Sequence, residues 1–163
     1  MEHVNNYQSE EKDIDVLISG SMSLSEQWLK VADELSEMGL KVDRPVAEEG
    51  GFDWDNASDE AIAVEKKKYI DHHLKKILGS RAILLFNAEK KGISGYIGPN
   101  SFLEMGVAYA LGVPVYLYEK PNPEQDHYYE VIGLMPTVID HDLGRLANEV
   151  KELKNQSPDK PES

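Results

Sequence analysis

One carboxylate stands out for its company. Glu104 sits in Asn100-Ser101-Phe102-Leu103-Glu104-Met105-Gly106-Val107-Ala108-Tyr109-Ala110-Leu111-Gly112, where its neighbours from Phe102 to Leu111 are apolar, aromatic or small. An ionised carboxylate in such a setting is unfavourable unless a partner or ligand uses it. Placed beside a sugar, it can stabilise positive charge developing on the anomeric carbon or bond to that carbon covalently. Expected in the first turn of a helix, it can also do no more than complement the helix dipole. The apolar surroundings favour a place in a ligand crevice.

Acid–base chemistry needs a second group. Asp71-His72-His73 supplies the candidates, since imidazole exchanges a proton near neutral pH. Adjacent helical residues point about 100° apart, so one histidine of the pair at most faces a given crevice. His73 shares a face with Ile70 and Ile77 and is preferred, with Asp71 the alternative; a partly exposed histidine without a chemical task is the competing reading. The remaining histidines have no metal-ligand spacing with this pair, so no metal is expected.

Two turns could hold sugar or phosphate oxygens. Ser19-Gly20-Ser21 offers hydroxyls and amides after an apolar run, although the same serines also suit helix capping. Gly92-Ile93-Ser94-Gly95-Tyr96-Ile97-Gly98-Pro99 leads into Asn100-Ser101; its glycines permit sharp turning, and the helix start that follows presents unpaired amides. Neither turn has a P-loop lysine pattern or a Gly-x-Gly-x-x-Gly fingerprint, so NAD and ATP-driven chemistry are not supported. Tyr96 could stack on a base, Asn87 could orient a sugar or only close its loop, and Lys90-Lys91 could neutralise a phosphate or serve no purpose there.

These groups must be carried by an alternation of strands and helices. Apolar runs predict strands at Ile14–Ser19, Leu40–Asp43, Ala82–Asn87, Pro114–Tyr118 and, as an edge, Pro136–Asp140. Helices are predicted from a serine among Ser21, Ser23 and Ser25 to Met38, from Ser58 to Leu78, from Asn100 to Gly112, from His127 to Ile132, and from Asp142 to Lys154, with Gly39 and Gly79 as stops. Phe52 and Trp54 lie in the acidic, glycine-bearing Val46–Ala57 stretch, a candidate lid. The expected fold is a single α/β domain: a mainly parallel five-stranded sheet with helices on both faces, Rossmann- or flavodoxin-like. It spans residues 13–154, between a polar segment 1–12 and a disordered tail 155–163.

Composition narrows the partners. With 163 residues, a net charge of −13 and no cysteine, one core is expected, without disulfides or thiolate chemistry. The acidic balance argues against nucleic-acid backbones and anionic membranes. A small ligand fits better, and without a signal peptide or apolar span the expected location is the cytoplasm.

The segments Ile18-Ser19-Gly20-Ser21, Leu85-Phe86-Asn87 and Glu104-Met105-Gly106-Val107-Ala108-Tyr109-Ala110, in this order and spacing, resemble the nucleoside 2-deoxyribosyltransferase family and its relatives that hydrolyse nucleoside 5′-monophosphates. The resemblance extends over about Asp13 to Tyr118. It implies cleavage or transfer at an N-glycosidic bond without a cofactor, Glu104 as nucleophile, a nucleoside or nucleotide ligand, and a homodimer or larger homo-oligomer whose neighbouring subunits complete the sites. One departure bears on the proton donor. Family members usually carry an Asp on the helix before the third strand and another heading that strand, where this chain has Asp71-His72-His73 and Arg81.

Overall fold

The computed structural model describes residues 11–46 and 50–156. Most of the expected polar segment 1–12, residues 47–49 of the candidate lid and residues 157–163 of the expected tail lie outside these. In chain order the elements are β1 (Ile14–Ser19), α1 (Ser25–Glu37), β2 (Val42–Asp43), α2 (Asp59–Leu78), β3 (Ser80–Leu85), α3 (Pro99–Ala110), β4 (Val115–Leu117), α4 (Tyr128–Gly133), β5 (Thr137–Val138) and α5 (Leu143–Asn155). The five strands form one sheet in the order β2-β1-β3-β4-β5, with every neighbouring pair parallel. The expected α/β architecture is therefore present, in the strand order of flavodoxin-like folds.

Side-chain alternation along the strands builds two apolar layers. Val16, Ile18, Ala82, Leu84 and Tyr116 pack beneath α1 and α5. Leu17, Ile83, Leu85 and Leu117 pack beneath α2, α3 and α4. Burial on both faces explains why β1 and β3 read as nearly unbroken apolar runs. The chain leaves β1 through α1 on one face and leaves β3 through α3 on the other. Their carboxyl ends therefore diverge, and a crevice opens between them.

Local chemistry sets the element ends. The Ser58 hydroxyl caps α2 by accepting from the Ala61 amide at 3.2 Å, and Asp142 caps α5 through the Arg145 amide at 3.0 Å. Several boundaries differ from expectation: β3 runs Ser80–Leu85 where Ala82–Asn87 was expected, and helix ends shift as well. No serine caps α1: a short 3-10 turn, Met22–Leu24, intervenes after Ser21. α5 runs to Asn155, into the expected tail. α3 begins at Pro99 with Gly98 as its N-cap, because proline suits the first helical position, where no amide hydrogen is needed. Glu104 thus lies in the second turn rather than the first, where the dipole explanation for its charge weakens.

Tyr116 links the sheet to α5. Its phenol is pushed up to about 12 by burial, with the nearby Glu149 carboxylate adding to the shift. The fold thus holds the neutral phenol more tightly than the unfolded chain, whose tyrosines ionise near 10. The associated stability is complete below pH about 10 and is lost as pH rises toward about 12. Tyr116→Phe is expected to flatten this alkaline decline, read from denaturant midpoints at pH 9 and pH 11.

Candidate functional site

A cavity of about 340 Å³ occupies the crevice, between α2 and α3 at the carboxyl ends of β1 and β3. α2 contributes Lys66, Tyr69, Ile70, His73 and Leu74, an i, i+3, i+4, i+7, i+8 stripe. α3 contributes Asn100, Leu103, Glu104 and Val107 from its facing side, while its buried Met105 and Ala108 point to the sheet. Helical periodicity therefore separates the catalytic candidate from the core by a single residue.

Glu104 and His73 meet across the two helices. His73 Nδ1 lies 3.6 Å from Glu104 Oε1, with side chains 23% and 15% exposed respectively. Glu104 Oε2 is buried and accepts no hydrogen bond from the described residues. Such an oxygen calls for an explanation. One carboxylate oxygen faces an imidazole, the other is enclosed by protein, and the Glu104 side chain as a whole borders the cavity. Asp71, the alternative acid–base group, is exposed, pairs with Lys67 on its own helix and does not line the cavity. Of the two candidates, only His73 is near Glu104.

The opposite side of the cavity is polar. Ser19, 3% exposed, donates from Oγ to Ser101 Oγ at 3.4 Å and ties the end of β1 to the first turn of α3. Lys90 Nζ donates to Ser21 Oγ at 2.9 Å, and Ser21 Oγ lies 2.9 Å from Ser23 Oγ. Since Ser21 caps no helix amide, its hydroxyl remains in the cavity wall. The indole of Trp28 donates to the Ser21 carbonyl at 3.0 Å and fixes this turn. A Cβ on Gly20 would stand 3.3 Å from Phe86 Cβ and 3.4 Å from the Trp28 ring, so glycine permits this close packing. Tyr96, Gly98, Asn100 and Ser101 complete the polar wall, and the start of α3 has no side-chain cap.

Two expected ligand contacts are placed elsewhere. Asn87 is 2% exposed; its amide donates to the Glu119 carbonyl and its Oδ1 accepts from the Glu119 amide, both at 2.8 Å. That double bond across the ends of β3 and β4 engages both ends of its amide away from the cavity wall. Gly95 is also off the wall. Its φ is +66°, and a Cβ there would collide with the Lys120 carbonyl oxygen.

The site loop is held by a segment with no functional signature in the sequence, Asn122 to His127. Gln125 Oε1 accepts from the Ile97 amide at 2.7 Å and its Nε2 donates to the Gly95 carbonyl at 3.1 Å. Asn122 adds a backbone bond to Gly95 and donates from its side chain to the Ser94 carbonyl at 3.0 Å. His127 Nε2 donates to the Ile97 carbonyl at 2.9 Å, its ring packed on Phe102 with centroids 4.9 Å apart. The density of polar side chains from Asn122 to His127 was the available signal, but a solvated loop has the same composition. In the candidate lid, Phe52 and Trp54 pack edge to face at 4.5 Å, and Lys66 Nζ stands 4.9 Å over the Trp54 ring. Trp54 thus faces a cavity-lining lysine, while neither aromatic ring enters the wall.

No family model matches the chain. No curated protein matches it. Among solved structures, the chain is similar to one titled as a conserved protein from Enterococcus faecalis V583, with 15% identity over 84% of this chain and 96% of that one and a TM-score of 0.50. At that identity the likeness concerns the fold, and the two chains share an α/β architecture over nearly the full length of the relative.

Proposed function

We propose that this protein cleaves or transfers at the N-glycosidic bond of a nucleoside or nucleoside 5′-monophosphate, with Glu104 as nucleophile. The observation that carries the reading is the Glu104 carboxylate, one oxygen facing His73 and the other buried and unpartnered, on the border of a cavity with a hydroxyl-rich wall. The nucleoside resemblance of the sequence supplies the substrate class. In the first step the Glu104 carboxylate bonds to the anomeric carbon as the bond to the base breaks, and the base leaves with that bond's electron pair. His73, in its protonated form, delivers a proton to the base; the neutral imidazole then takes one from the water or acceptor that discharges the glycosyl-enzyme ester. The hydroxyls and helix-start amides hold the sugar end of the ligand meanwhile. This sequence calls for neither a metal nor a redox cofactor.

Free-base release, followed by chromatography across a panel of nucleosides and monophosphates, tests the proposal. His73→Gln is expected to lower turnover by about 10²- to 10⁴-fold, the usual range for an acid–base group. Ligand binding without turnover in the parent protein across the whole panel would instead assign a nucleotide-binding module.

The same reading includes self-association. Leu103 on α3 and Ile70 on α2 form an apolar cavity rim, 49% and 41% exposed. An isologous contact through it would close the cavity with groups of a second copy. Sedimentation at micromolar concentration is expected to give a dimer or larger species, and an 18.3 kDa particle alone would count against it.

A further inference from the structure

We propose that Lys90 is a specificity residue that makes the cavity select ligands bearing a 5′-phosphate over their unphosphorylated counterparts. The inference rests on the nucleoside reading above and chooses between the two substrate classes it leaves open.

Charge is the first observation. The chain carries −13, yet the described wall of the cavity holds Lys66 and Lys90 against a single carboxylate, Glu104. With Glu104 committed to the anomeric carbon, the remaining fixed charge of that wall is positive. A neutral nucleoside has no group to meet it, whereas a phosphate does.

Backbone construction is the second. Lys90 and Ile93 exchange both backbone hydrogen bonds at 3.0 Å, closing a tight hairpin whose central residues Lys91 and Gly92 have φ of 52° and 77°. Both values are positive, as a type I′ turn requires, and lysine tolerates that conformation poorly. The turn fixes the Lys90 backbone and sends the two lysines to different places. Lys90 is half-buried and reaches Ser21, while Lys91 is exposed.

Proton supply is the third. An ammonium has three donors, and Ser21 uses one. Ser19 donates to Ser101, so the Ser101 hydroxyl keeps its own hydrogen for an acceptor. On the same wall the first turn of α3 offers amides that no side chain caps. Together these donors suit a phosphate held at the β1 end while its sugar faces Glu104.

Titration calorimetry with the full chain separates the possibilities, using ribose 5-phosphate against ribose and a nucleoside 5′-monophosphate against its nucleoside. The parent is expected to bind each phosphorylated member at least tenfold tighter than its partner at low salt. Lys90→Ala should reduce that ratio to less than about threefold, and Lys90→Arg should keep most of it. Lys91→Asn removes the same charge from the exposed side of the turn, with a residue that accepts positive φ, and should leave the ratio unchanged. Lys90→Gln serves as a second probe if thermal melting finds Lys90→Ala unfolded.

Equal affinities within the pairs, no binding of any of the four at millimolar concentration, or an equal loss in Lys91→Asn would each overturn the proposal. Since the readout is binding, it is separable from catalysis. Lys90-dependent phosphate selection without base release would sink the glycosidic reading alone, and base release at equal kcat/KM from nucleoside and monophosphate would sink the phosphate selection alone.

Discussion

Glu104→Ala is expected to abolish base release, lowering turnover roughly ten-thousandfold or more, as removal of a nucleophile does elsewhere, while nucleotide affinity changes by less than about tenfold. The split follows from where the carboxylate acts. The carboxylate meets charge that develops on the anomeric carbon only in the transition state, so its loss falls on kcat and leaves ground-state binding to the Ser19, Ser21 and Ser101 side of the cavity. Side-chain loss also removes a buried, unpartnered oxygen, so the variant should melt no lower than the parent. Paired calorimetry and chromatography check both halves. Unchanged turnover in a folded Glu104→Ala protein would eliminate this nucleophile.

Gly95→Ala is expected to be the most damaging single-methyl change in the site loop. The left-handed backbone at φ +66° costs an alanine about 1–2 kcal/mol, and its methyl would strike the Lys120 carbonyl and crowd the Asn122 amide nitrogen at 2.9 Å. Relieving the collision means pulling apart the loop and the segment after β4. A total loss of about 3 kcal/mol, or near 10 °C in melting temperature, is the expected outcome, with turnover falling as the start of α3 shifts. Gly92→Ala is the control. It too has positive φ, at +77°, but nothing lies within 4 Å of its would-be Cβ, so it should show the conformational cost alone. Equal melting temperatures for the two variants would refute the packing argument.

The contrast between these glycines marks how much of the site was legible in the sequence. Strand alternation, helix spacing and the Ser58, Gly39 and Gly79 signals were enough for a parallel five-stranded α/β sheet, because each depends on neighbours within a few positions. The same local logic brought Ser19, Gly20, Ser21, His73, Tyr96, Gly98, Asn100, Ser101 and Glu104 to one crevice. It failed at Asn87 and Gly95, whose partners, Glu119 and Lys120, follow a different strand. A glycine required by a distant carbonyl and one required by its own turn look identical in sequence. Asp71 misled for another reason: beside two histidines it looks catalytic, yet one step around the helix takes it to solvent and Lys67. By sequence Ser21 suits capping and binding equally, and only the intervening 3-10 turn releases its hydroxyl to Lys90.

The Ile97 amide gives its hydrogen to the Gln125 side chain, with no backbone carbonyl as partner. Its exchange with solvent deuterium is therefore coupled to detachment of one side chain, whereas Ile83, bonded inside the sheet to Pro114, exchanges when the core opens. Two amides of the same residue type thus time two separate events. Gln125→Ala should accelerate exchange at Ile97 and leave Ile83 slow, a record of how often the loop beside the site comes loose in a protein that is otherwise folded.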